Sequence, residues 1–268
     1  MSKAYLIAVD LEGVHGIVGT PFQPLSRGIC EAYDKAVAAA EQEVNAAVQG
    51  LFESDAGTVA VWDNHGGGGN LRFDRLDPRI LKIDPRTDTF RFDFLQNHCF
   101  DGILFLGYHA REGAPRGILA HSYSSTNIQY IRLNGEDVGE LAVDSLICTE
   151  YGLPPVFIAG DDVCVAELGA LAPGIRHVIT KYGQGRNRGV LRPDAQVLEE
   201  IRTAVTDLRA CPVTPMSRPS LLEIRYTRAE RAEAVWQKYH DIYPLEWGRD
   251  THTLLCRIEH PNQIPKLL

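Results

Sequence analysis

The stretch AYLIAVDLEG, residues 4–13, decides how the rest of the chain is read. AYLIAV is a short apolar run that stops at Asp10, the pattern of a buried strand. Just downstream, GICEAYDKAVAAAEQEVNAAVQGLFE (28–53) is Ala-rich with apolar positions three and four apart, which predicts a long amphipathic helix. The same alternation then repeats. TVAVW (58–62) ends at Asp63-Asn64-His65, GILFLG (102–107) at Tyr108-His109, and VFIAG (156–160) at Asp161-Asp162, with HVITK (177–181) as a fifth strand. Helical patterns lie between, notably over 139–152 and 161–170. Strands alternating with helices predict an α/β fold, a mostly parallel sheet flanked by helices.

Beyond Pro193 the character changes. A helix over 194–209 leads into CPVTPMSRPS (211–220), a proline-rich linker. LLEIRY (221–226), a helix near 227–239 and THTLLCRIEH (251–260) follow, which predicts a smaller α+β portion. The expected organisation is a catalytic α/β domain over 1–192 and a lesser portion over 193–268 that contributes to oligomer contacts.

A net charge of −8 with no basic run argues against nucleic acid or an anionic membrane surface as partner. No stretch approaches the roughly 18 apolar residues needed to cross a bilayer. The opening MSKAYLIAVDLEG has too short an apolar run for a signal peptide. The six cysteines contain no CxxC pair and read as buried free thiols of a reducing compartment, so a cytoplasmic location is expected.

In a parallel sheet, ligands bind beyond the carboxyl ends of the strands. Asp10, Glu12, His65, His109 and Asp161 all fall at such ends. Asp10 and Glu12, two apart, would share a face of a strand and repel unless a cation or proton lies between them. Each residue also has a plain reading. A surface strand can carry a carboxylate pair, His65 in WDNHGGGGN can be a loop histidine, and His109 and His121 can be satisfied core or loop groups. Glu140, at a helix start in NGEDVGELA, can complement the helix dipole. Taken together, carboxylates with imidazoles and no thiolate suit zinc, manganese or cobalt, and not a closed structural site. Three carboxylates and two histidines exceed one tetrahedral ion and suit a two-metal centre on Asp10, Glu12, His65, His109 and Glu140.

The motifs VDLEG, DNHG, GYHAREG followed by His121-Ser122, NGEDVGELA and AGDD, in that order, resemble the bacterial zinc D-aminopeptidases of the dipeptide-operon (DppA) type. The resemblance covers about residues 4–190. It implies two zinc ions per chain on Asp10, Glu12, His65, His109 and Glu140, with His121 handling protons and not binding metal. It also implies a homo-oligomer, a decamer of stacked pentamers enclosing the active sites, and small peptides with a free N-terminal D-residue as substrates. The chain departs from the pattern in three places. Ala8 stands where the family commonly has Ser, His15 where a small residue is usual, and a glycine run replaces a bulkier loop after His65.

The expected reaction is hydrolysis of a peptide or amide bond by water activated between two ions. His121 would protonate the leaving nitrogen or stabilise the oxyanion, and the other ion, or a carboxylate such as Asp162, would hold the substrate amine. Lys181 and Arg186, in TKYGQGR, are weaker candidates for a substrate carboxylate, with solvated surface charge as the plain alternative. The rival readings are an amidase on a non-peptide small amide, its pocket reshaped by His15 and the glycines, and a catalytically silent metal-binding assembly protein.

Overall fold

The computed structural model describes residues 2–84, 91–97 and 99–268. The first apolar run is β1 (Ala4–Val9), and the long helix is α1 (Tyr33–Glu53). The strands β2 (Thr58–Asp63), β3 (Leu81–Ile83) and β4 (Gly102–Tyr108) follow. Next come β5 (Ile128–Leu133), β6 (Glu136–Val138), α2 (Glu140–Glu150), β7 (Pro155–Asp161) and α3 (Asp162–Leu171). The hairpin β8 (Arg176–Gly185) and β9 (Arg188–Leu191) leads to α4 (Asp194–Ala204). The chain ends with β10 (Ser220–Tyr226), α5 (Ala229–Tyr239), β11 (Leu245–Trp247) and β12 (Thr253–Ile258), before two short 3-10 turns.

Seven strands form one sheet in the order β3-β2-β1-β4-β7-β8-β9, parallel throughout except for β9. This is the α/β architecture expected from the alternating pattern. Strand runs such as YLIAV carry no polar residue because both faces are covered. Tyr5, Ile7 and Val9 face a core shared with α1 and α4. Leu6 and Ala8 face a second core shared with α2, α3 and the inner side of the other sheet. That other sheet is antiparallel, in the order β11-β12-β10-β5-β6.

Several boundaries differ from the expectation. Residues 28–32 turn before α1 starts, with Gly28 at φ +73°, and Ile29 and Cys30 N–H both donating to the Ser26 carbonyl. The helix expected over 194–209 ends at Ala204. β3, β5, β6, β9 and β11 were not anticipated, being short or alternating rather than continuously apolar. The two sheets also exchange pieces across residue 192: β5 and β6 precede it yet join the second sheet, while α4 follows it yet packs on α1 and β8. The two-part organisation we propose for this chain therefore follows the sheets and not the linear order.

The strand order reverses between β1 and β4, which makes their carboxyl ends the topological switch point. There the two chains approach backbone to backbone. Asp10 N–H donates to the Leu106 carbonyl at 2.8 Å and Gly13 N–H to the Gly107 carbonyl at 2.7 Å. A Cβ on Gly107, which has φ +69°, would lie 2.1 Å from the Asp10 carbonyl oxygen. Gly107→Ala is therefore expected to destabilise the fold by at least about 2 kcal/mol, through left-handed strain plus a backbone clash. Gly67→Ala, where an added Cβ meets nothing within 4 Å, should be close to neutral. Urea melts of the two variants check this; equal midpoints would refute it.

Candidate metal centre

Asp10 and Glu12 follow β1, His65 follows β2, His109 follows β4, and Glu140 opens α2. The fold brings all five together at the switch point. His65 Nδ1 lies 2.8 Å from Asp10 Oδ1 and 3.1 Å from Glu12 Oε2. His109 Nε2 lies 3.5 Å from Asp10 Oδ2 and 3.3 Å from Glu140 Oε1. His121 joins the same cluster, its Nε2 3.6 Å from Glu140 Oε1 and its ring stacked on His109 at 3.9 Å between centroids.

The three imidazoles are oriented alike. His65 Nε2 bonds the Leu25 carbonyl at 2.6 Å, His109 Nδ1 the Ala110 carbonyl at 2.9 Å, and His121 Nδ1 the Leu119 carbonyl at 2.9 Å. Each carbonyl can accept the N–H of one ring nitrogen, which leaves the other nitrogen to donate a proton to the carboxylates or, once deprotonated, to bind a metal ion. Metal-binding histidines are fixed in this way.

Burial works against the charged form of Asp10, yet the hydrogen bond and charge of His65, with His109 behind, hold its carboxyl far below the usual range. Burial likewise opposes the charge on His109, but Glu140, Asp10 and Glu12 push its pKa up to about 10. His65 is raised well above its ordinary value by Glu12 and Asp10, again against burial. His121 moves the other way, lowered by burial and by the neighbouring His109 charge. The carboxylates thus draw positive charge, either as protons on His65 and His109 or as metal ions that displace them.

Two observations fit metal. Glu12 Oε2 and His109 Nε2 are buried and have no hydrogen-bond partner among the described residues. Ligand atoms of Asp10, Glu12 and His109, and of His109, His121 and Glu140, lie within 4.8 Å of one another. The two groups share His109, which joins them into one cluster of candidate ligands. His121, expected outside the ligand set, is therefore within ligand reach.

The other candidates divide. His15 turns away from the centre into α1, its backbone N–H and Nδ1 on Glu43 Oε1 at 2.7 and 3.0 Å and its Nε2 on Gln42. It cannot reshape the pocket, and of the four glycines after His65 only Gly66 lines the cavity. Asp161 caps α3 through the Cys164 N–H and also accepts from the Ile118 N–H. Asp162 accepts from the Gly183 N–H at 2.6 Å and does not line the cavity, which removes it as the holder of a substrate amine. Arg186 does line it.

Lys181 is neither a surface charge nor a substrate ligand. It is fully buried, and its Nζ donates to the carbonyls of Glu12, Val14 and Ile17 at 2.6, 2.8 and 2.7 Å, pinning the loop that carries Glu12. Lys181→Met leaves those acceptors buried and unpaired, so a destabilisation of about 2–4 kcal/mol is expected. Loosened zinc affinity should accompany it, because Glu12 loses its anchor. Unfolding and zinc titrations together check this, and an unchanged urea midpoint would contradict it.

The sequence also left unread a network behind Glu140. Asp144 accepts from Arg91 Nε and Nη2 at 2.6 and 2.8 Å and from the Tyr108 hydroxyl at 2.8 Å, while Asn64 donates to both Tyr108 and Asp144. The Tyr123 N–H donates to Glu140 Oε1 at 2.7 Å. Asp144 stands four residues after Glu140, one helical turn along the same face; that spacing was the available signal.

The D-aminopeptidase family model matches residues 3–240. The chain belongs to the D-aminopeptidase family. A curated D-aminopeptidase of Bacillus subtilis (strain 168) is 28% identical over 236 residues, covering 86% of this chain and 84% of that protein. Among solved structures, the Zn-dependent D-aminopeptidase DppA from Bacillus subtilis, described as a self-compartmentalizing protease, superposes with a TM-score of 0.84. It is 23% identical, and the match covers 98% of this chain and 94% of that one, which shows a shared fold. In this member of the family Asp10, Glu12, His65, His109, His121 and Glu140 are gathered at the switch point, while Asp161 and Asp162 of the AGDD motif are not.

Proposed function

We propose that this chain is a zinc-dependent aminopeptidase that cleaves the bond after a free N-terminal D-residue in small peptides. Asp10, Glu12, His65, His109 and Glu140 would hold two zinc ions, with His121 as the proton-transferring residue. The carrying observation is the convergence of three histidines, each with one ring nitrogen on a backbone carbonyl and the other beside a member of the Asp10, Glu12 and Glu140 cluster. When bound, paired zinc ions supply Lewis acidity toward a carbonyl and a nucleophile at neutral pH.

The chain's own residues do the rest. Asp10, Glu12 and Glu140 line one wall of a cavity of about 260 Å³, a size suited to a dipeptide or similarly small amide. That acidic wall attracts the substrate ammonium. His121, whose pKa burial lowers, can take a proton and pass it to the leaving nitrogen. With His15 and three of the four glycines after His65 outside the cavity, the amidase reading loses most of the residues that motivated it.

The membership of the family supports self-association, and exposed Tyr182, Val190 and Leu191 on the β8–β9 edge support it further; a decamer of stacked pentamers is our reading. Among the described residues no helix is long and apolar enough to cross a membrane, and all six cysteines are free, which supports a cytoplasmic setting.

Elemental analysis of protein purified without chelator, with a screen of D- and L-dipeptides, tests the proposal. We expect close to two zinc ions per chain, and D-Ala-D-Ala turned over at least about tenfold better than its L,L counterpart. Folded protein with no zinc, or no hydrolysis of any D-dipeptide, would sink it.

A further inference from the structure

Arg186 is the single Lys or Arg among the described residues that line the cavity, which also holds the acidic set of Asp10, Glu12 and Glu140. It occupies the two-residue tip of the β8–β9 hairpin, between Gly185 and Arg188. That tip is tied down. The Arg186 carbonyl accepts from the Leu119 N–H at 2.7 Å, Arg186 Nη1 donates to the Ala120 carbonyl, and Asn187 Nδ2 donates to the Val18 carbonyl at 3.0 Å. The guanidinium therefore stands beside the segment Leu119–Ala120 that leads directly into His121.

Its donors are unequally used. Nη1 carries both contacts, the Ala120 carbonyl and Glu112 Oε2 at 3.6 Å. Nε and Nη2 have no partner among the described residues, and together they form the edge of the guanidinium that grips a carboxylate with two parallel hydrogen bonds. The pair with Glu112 is long and partly exposed, at 46% and 30% side-chain accessibility, so water screens it and the positive charge stays available. Lys181 offers no competing cation, since its ammonium is spent on three carbonyls.

From this we infer that Arg186 is the subsite for the carboxylate of the residue leaving after cleavage, which makes the chain selective for free dipeptides over longer or amidated peptides. The inference rests on the aminopeptidase reading. Chemistry links the two groups: in a dipeptide the terminal carboxylate is separated from the leaving nitrogen by a single Cα. If His121 serves that nitrogen, the carboxylate must lie on the His121 side of the cavity, where the hairpin tip has placed Arg186. A peptide extended beyond its second residue would bring an uncharged amide to that position and leave the cation unpaired.

The test compares kcat/KM of zinc-loaded wild type, Arg186→Gln and Arg186→Lys on D-Ala-D-Ala and on D-Ala-D-alaninamide. Wild type should prefer the acid over the amide by at least about tenfold, the scale of a charged hydrogen bond. Arg186→Gln should lower kcat/KM on the acid about 30-fold, mostly through KM, and move the amide by no more than about twofold. Arg186→Lys should recover part of the loss, because charge returns without the two-pronged geometry. Equal losses on acid and amide, or no loss on either, would overturn the subsite while leaving the aminopeptidase reading intact. Wild type that cleaves neither compound would overturn both.

Discussion

His109→Ala is expected to remove metal and activity in one step. His109 belongs to both groups of ligand atoms, one with Asp10 and Glu12 and one with His121 and Glu140, so it stands at the middle of the cluster and its loss breaks the link between the two groups. Its Nε2 is also a buried nitrogen without a hydrogen-bond partner among the described residues. Alanine leaves Asp10, Glu12 and Glu140 facing one another with less positive charge between them, which raises the cost of the folded apo state as well. We expect zinc content to fall by half or more and kcat/KM to drop by at least about 10³-fold, since the nucleophile at neutral pH depends on the ions. Elemental analysis and steady-state kinetics on the same preparation decide it. Full zinc content in the variant would place His109 outside the centre.

His121→Ala should separate chemistry from metal binding. His121 is held by the Leu119 carbonyl, stacks on His109, and has its pKa lowered first by burial and, while His109 is protonated, by that charge as well. Those are properties of a proton carrier. We expect kcat to fall about 10²- to 10⁴-fold with KM little changed, the range for a lost general acid/base. Zinc content should stay near that of the parent protein. The geometry makes this a sharp test, because His121 Nε2 is 3.6 Å from Glu140 Oε1, as close as a ligand would be. Loss of zinc together with kcat would reassign His121 as a metal ligand.

How far these residues could be read beforehand depended on where they sit. Asp10, His65 and His109 each terminate a buried apolar run, and a parallel sheet must align the carboxyl ends of its strands. Their convergence follows from the period and direction of the chain. His15 and Lys181 had no such rule. Whether His15 faces the pocket or Glu43 depends on how the loop after β1 crosses α1, and that crossing is held by Lys181 from a strand more than 160 positions away. No local pattern encodes a contact of that range. Asp162 and Arg186 were equally plausible polar residues near strand ends; the hairpin tip turned only Arg186 over the cavity.

The second sheet teaches a related point. Asn134-Gly135, with φ of +53° and +88°, makes the tight turn between β5 and β6, and this dipeptide is a strong local hairpin signal. The pairing of β5 with β10 has no such signal, because nothing local in either strand names its partner. By itself, then, the sequence determined the alternating α/β pattern, the identity of the residues closing each core strand, and the family. Both kinds of information are carried by local periodicity and by short motifs. Tertiary structure alone decided the switch point between β1 and β4, the exclusion of His15 and Asp162, the burial of Lys181 and the aim of Arg186. Those depend on backbone approaches such as Gly13 against Gly107 and on hydrogen bonds between distant segments, whose energies exist only once the chain has closed on itself.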